Sequence, residues 1–319
     1  MKPLQALSRR LVPVTVTALL LGISPGAGAQ YLTVTTFAGQ SGGAVDGPGV
    51  TALFHSPTDV AVHGGNLYVA DSQNATIRQI SPAGVVTTLA GLAREAGSTD
   101  ATGSEARFNS PGYLATDAAG NIYVADSGTY TVRKITPAGS VTTLAGLAGA
   151  FGSVDGTGPA ARFQQFSGIT TDRHGHVFVS EFSHVIRKIT PAGVVTTVAG
   201  LADAPGSDDG NGSAARFNYP GGVAADSDGN LSVADAVNQT IRKITPAGPV
   251  TTFAGQTGIS GSDDGNGQDA RFYYPGGLTI DDGDNLYVTD SGYAVRKITP
   301  DGEVTTLAGQ ASMSGYVDA

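Results

Sequence analysis

The chain has 319 residues, no cysteine, and 27 acidic against 18 basic residues, a formal net charge of −9. The missing cysteines exclude a disulfide framework, a thiol nucleophile and a lipid-attachment thiol. The acidic balance argues against nucleic acid or an anionic membrane surface as partner, because both demand a basic face.

In chain order the first element is a leader. Lys2, Arg9 and Arg10 are basic, Leu11 to Ile23 is apolar, and Ala27-Gly28-Ala29 has the small residues of a cleavage site. Residues 1–29 therefore read as a secretory signal peptide cleaved before Gln30, and the expected location is secreted or periplasmic, in a bacterial envelope. The apolar run is too short to span a bilayer, and no later segment is apolar enough to insert in a membrane. The leader holds three of the basic residues and no acidic one, so the mature chain, residues 30–319, is more acidic still.

The mature chain repeats itself. Residues 71–84 return, lightly edited, at 126–139, 181–193, 235–248 and 290–302. The carboxylates Asp71, Asp126, Glu181, Asp235 and Asp290 mark units near 40–91, 92–146, 147–200, 201–255 and 256–309, and 310–319 begins a further unit or tail. A fixed period of this size marks a repeat architecture, and such units bury their cores only against neighbours. Length alone would suggest two domains; the repeats predict one body.

Each unit holds four short runs rich in β-branched and aromatic residues. In the first they are Asp59–Val62, Asn66–Ala70, Thr76–Ile80 and Val86–Ala90. Gly-Asn pairs at 120–121 and 229–230 mark the first hairpin, and Pro-Ala-Gly at 82–84 and its counterparts the last. With no helix-length amphipathic run between them, four antiparallel strands per unit predict an all-β fold, a propeller blade repeated.

Residues 221–244 read Gly-Gly-Val-Ala-Ala-Asp-Ser-Asp-Gly-Asn-Leu-Ser-Val-Ala-Asp-Ala-Val-Asn-Gln-Thr-Ile-Arg-Lys-Ile, a pattern that resembles the NHL repeat family of β-propellers. The resemblance covers nearly the whole mature chain. It departs at Ser232, where other copies carry an aromatic ring, and in the third unit, which has Glu181 and one residue fewer before Arg187. Members of this kind are commonly six-bladed. Some six-bladed relatives are metal-dependent lyases that set histidines around a central metal, a count this chain does not match.

Longer connections join the units. Their second acidic position recurs as Asp46, Asp100, Asp155, Asp209, Asp264 and Asp318, and their apolar end as Phe54, Phe108, Phe163, Phe217 and Phe272. The phenylalanines are expected to plug the gaps between blades. Val34–Gly39 matches a fourth strand, giving six outer strands against five sets of the other three. That count fits a five-bladed ring with a spare strand, or a six-bladed ring whose last blade is truncated; the aggregation hazard of an open edge favours the second.

Few motifs carry chemistry. Ser-Asp-Asp-Gly-Asn-Gly offers calcium-like oxygens at Asp208, Asp209, Asp263 and Asp264, but lacks the alternating carboxylates and terminal Glu of an EF-hand and reads as a Gly-supported turn. A carboxylate and arginine present in every unit serve what every unit shares, so Asp71, Arg78 and their counterparts read as structural. His174 and His176 flank a turn while His184 lies a strand away, too far to share a zinc ion. No catalytic residue, metal centre or cofactor is expected.

Specificity should lie where the units differ, in the loops entering the first strand and joining the second to the third. There the chain carries His55, Gln73, Tyr130, Phe182, His184, Tyr219, Tyr273, Tyr274 and Tyr293. Aromatic faces beside amides suit a sugar or peptide. The expected function is a non-catalytic interaction propeller recognising a protein, peptide or glycan; the competing expectation is a metal-dependent lyase or lactonase on a similar disc.

Overall fold

The computed structural model describes residues 36–309. The leader expected at residues 1–29 and the residues 310–319 lie outside the described residues. Five antiparallel sheets follow one another along the chain and stand side by side in a ring, a five-bladed β-propeller. Helical structure among the described residues is confined to three-residue 3-10 turns.

The first blade runs Pro57–His63, Asn66–Asp71, Thr76–Ile80 and Val85–Ala90, each strand paired antiparallel with the next. The fourth blade runs Pro220–Ala225, Leu231–Asp235, Thr240–Ile244 and Pro249–Gly255. First strands line the axis, around a cavity of about 580 Å³, and fourth strands form the rim. Four blades also carry a two-residue fifth strand from the connecting segment, such as Gly210–Asn211 on Pro249–Gly255. The four-strand reading missed it because Gly-Asn shows no strand alternation. Backbone pairing alone recruits it.

Turn chemistry fixes the hairpins. Asp117 accepts the N–H groups of Ala119 and Asn121 at 3.0 and 2.9 Å, and Asp172, Asp226 and Asp281 repeat the arrangement. These bonds replace water at a turn that a short side-chain acceptor can close locally.

The core lies between blades. Ala61, Ala70, Ile77 and Ala90 of the first blade face Leu114, Ile122 and Val124 of the second, with Phe108 wedged at the rim. Small residues on one side and branched ones on the other let the sheets interlock at native density. Phe163, Phe217 and Phe272 repeat the wedge, all fully buried, in the role the sequence predicts. The extra outer-strand segment lies at Phe37–Gly39 against the first blade. Gly39 N donates to the Gly49 carbonyl at 3.2 Å, as Gly91 N does to Gly103 and Gly146 N to Gly158 at 3.0 Å.

Candidate ligand-binding face

The charged residues common to all units point inward. Arg78 is fully buried; its Nη1 donates to Asp71 at 2.9 Å, its Nη2 donates to Asp46 at 2.6 Å, and its guanidinium sits 4.9 Å from the Phe54 ring centre. Arg133, Arg187, Arg242 and Arg296 are held alike by Asp100, Asp155, Asp209 and Asp264 at 2.6–2.7 Å. Each stacks over its own phenylalanine.

This ion pair also anchors a loop. The second-strand carboxylate accepts the backbone N–H of the residue that leads into the first strand: His55, Asn109, Gln164, Asn218 or Tyr273, at 2.7–2.9 Å. Burial pushes Asp126 up to about 7 and Asp235 up to about 6, opposed by the hydroxyl, amide and arginine donors around them. In the third blade the longer Glu181 reaches Arg187 at 2.9 Å and Gln164 N at 2.7 Å, which accommodates its shortened loop.

The acidic connections are engaged from within. Asp209 and Asp264 accept from Arg242 and Arg296, and the Asp208 and Asp263 carbonyls accept from the same two guanidinium groups at 3.1 and 3.0 Å. Asp209 and Asp264 are thus each already charge-paired with a buried arginine. Among the described residues, no group of three His, Asp or Glu residues is arranged to hold a metal ion.

The variable residues converge on one face of the disc, which we call the upper face. Their backbone explains why. Ser56, Ser110, Tyr219 and Tyr274 have φ of 49–58°, and Ala75, Tyr130, His184, Gln239 and Tyr293 have φ of 55–72°. Left-handed backbone at non-glycine residues costs free energy and persists only when the surroundings impose it. Here the pinned loops impose it twice in nearly every blade, at the positions where the repeats disagree.

Three aromatic groups result. Tyr130 meets Phe151 edge to face at 5.3 Å; Tyr273 meets Tyr274 at 5.2 Å; Tyr219 lies 6.0 Å from Phe182 and 5.0 Å from His184. Tyr219, Tyr273, Tyr274, Tyr293 and Phe182 are all exposed, as is Gln73, whereas His55 is half-buried. His184 is buried. Its Nδ1 accepts the Tyr219 N–H at 3.1 Å, so it supports Tyr219 from below. Burial holds the imidazole below its ordinary pKa, with Asp203 opposing. Asp203 in turn accepts from Gln164 Nε2 at 3.2 Å, completing a polar margin beside the rings.

Phe151, the partner of Tyr130, has no counterpart in the other connections, where Ala96, Pro205 and Ser260 hold its place, so no repeat pattern marks it. Its signal was an aromatic residue in an otherwise Gly- and Ala-rich stretch. On the opposite face, His176 pairs with Asp172 at 2.7 Å and lies 6.1 Å from His174, separated from His184 by the whole strand Val177–Glu181. In the axial cavity Asp59 accepts the N–H groups of Val60 and Leu114, joining the first two blades; burial pushes it up to about 6.

The fold and its repeats define a class, and comparison with known proteins agrees. The NHL repeat family model matches residues 217–244. NHL repeat-containing protein 2 of Bos taurus is 30% identical over 79% of this chain and 40% of its own length. A structural genomics protein of unknown function from Bacteroides thetaiotaomicron superposes with a TM-score of 0.66 at 22% identity, over 90% of this chain and 66% of that one. A streptogramin B lyase gives 0.55 at 16%, over 78% and 67%. The chain belongs to the NHL repeat β-propellers. It spans less than half the length of the curated relatives it matches.

Proposed function

We propose that this chain is an exported, non-catalytic binding propeller that recognises a protein, peptide or glycan through its upper face. One observation carries the reading: of the residues that differ between repeats, Tyr130, His184, Tyr219, Tyr274 and Tyr293 sit on left-handed backbone, and Tyr219 with Phe182 and Tyr273 with Tyr274 form exposed aromatic clusters. Flat rings beside amide and carboxylate groups match the alternating apolar and hydroxyl surfaces of a sugar, or the side chains of an extended peptide. The export half of the reading rests on the leader at 1–29; among the described residues, no helix is long and apolar enough to cross a membrane.

The likeness to a lyase lies at the level of fold, and one propeller scaffold hosts many activities. The His184 nitrogen that faces Tyr219 already accepts a hydrogen bond, which favours binding over acid–base work. Glycan and envelope-peptide arrays test the proposal. Wild type should retain a ligand that Tyr219→Ala and the Tyr273→Ala/Tyr274→Ala pair lose while still folding. Chelator-sensitive turnover with intact binding variants would establish the enzyme instead.

A further inference from the structure

The junction between the third and fourth blades is underfilled. Leu89, Leu144 and Phe253 hold one outer-strand position in the first, second and fourth blades, each packed against the core that leads to the next blade. The third blade has the smaller Val198 there. Its second strand also carries Phe178 where the second blade has Tyr123, whose hydroxyl donates to Asp117 at 3.1 Å. The fourth blade has only Ser232 at that position, and Phe253 restores the bulk. The third blade is lighter at both positions. A cavity of about 230 Å³ remains, walled by Phe178, Val198, Leu231 and Ile244, on the side of the disc opposite the upper face.

The mouth of this cavity is polar, and its charges are unequally committed. Both oxygens of Asp172 are engaged: Oδ1 accepts the N–H groups of His174 and His176 at 2.9 Å, and Oδ2 meets His176 Nδ1 at 2.7 Å. In the fourth blade the matching carboxylate, Asp226, pairs with Lys243 at 3.6 Å. Lys188, the equivalent lysine, is half-buried and has no ion pair among the described residues; its Nζ lies 5.7 Å from the Phe178 ring centre, at the edge of the cavity. Asp228 also borders the mouth but is exposed to water, where its charge is screened. We propose that this cavity is a second ligand site, for a small carboxylate with an apolar body: the body fills the space beside Val198 and the carboxylate meets the Lys188 ammonium. An apolar cavity of about 150 Å³ is enough to hold a benzene ring. A half-buried ammonium with no counter-charge attracts an anion more strongly than one in open water.

Calorimetric titration and thermal shift of the full chain with phenylpropionate test the proposal. The acid should bind saturably and raise the Tm, whereas phenylpropylamine, which Asp228 would attract, should do neither. Lys188→Met should keep the fold and weaken binding of the acid by about tenfold or more. Val198→Phe, which copies the fourth blade, should fill the cavity and abolish binding while still folding. Failure of the acid to bind, equal binding of the amine, or undiminished binding in either folded variant overturns the proposal.

Discussion

The buried arginines show how a residue with an inviting charge can be committed to architecture. Arg242 touches Asp235, Asp209, two carbonyls and the Phe217 ring at once, with no exposed nitrogen left for a substrate. Arg242→Met should cost about 3–5 kcal/mol in urea unfolding, because it strands a buried carboxylate. His184 sets a pH dependence. Its folded pKa lies below its ordinary value, so on acidification the unfolded chain takes the proton first. The stability contributed by neutral His184 is therefore present above the unfolded pKa, about 6.5, and drains as pH falls through the lower folded pKa. Protonation also removes the acceptor for Tyr219 N–H. Ligand affinity and Tm should fall more steeply below that pH in wild type than in His184→Gln. Glutamine is tolerated there, since Gln239 holds the matching position at φ 63°.

At the scale of the loop, neighbouring residues divide the labour between folding and display. Phe217 is fully buried between blades and Tyr219 is half exposed at φ 52°. Phe217→Ala should destabilise by about 3–5 kcal/mol. Tyr219→Gly should leave stability unchanged or raise it by up to about 1 kcal/mol, since glycine accepts left-handed backbone without strain. Binding should be lost in the tyrosine variant alone, which a parallel melt and ligand titration would read. The acidic connections give a third contrast. With Asp209 and Asp264 engaged by arginine, calcium and EDTA should leave the Tm unmoved.

For the whole molecule, stability is a chain of nearest-neighbour junctions, and the junctions are unequal. Phe54 wedges against one blade with a single outer segment opposite, whereas Phe217 lies between two complete blades. Phe54→Ala should therefore cost about 1–2 kcal/mol less than Phe217→Ala in matched denaturant melts, because a half-built junction has fewer contacts to lose. Hydrogen exchange should open the first and fifth blades before the third.

Much of this was legible in the chain. Fixed spacing, period-two runs and Gly-Asn turns determine the blade and its fivefold repetition, because these signals are local and each repeat states them again. The phenylalanine wedges and the structural role of the repeated charges were legible for the same reason. The tertiary structure alone decided which nitrogen of which arginine meets which carboxylate, and that this pair fastens the display loop. It also decided that His184 lies beneath Tyr219, that Phe151 joins Tyr130, and that Thr289 of the fifth blade is exposed where its counterparts are buried. These facts depend on residues from different units meeting around a ring. No spacing along the chain encodes such distances until the blades pack.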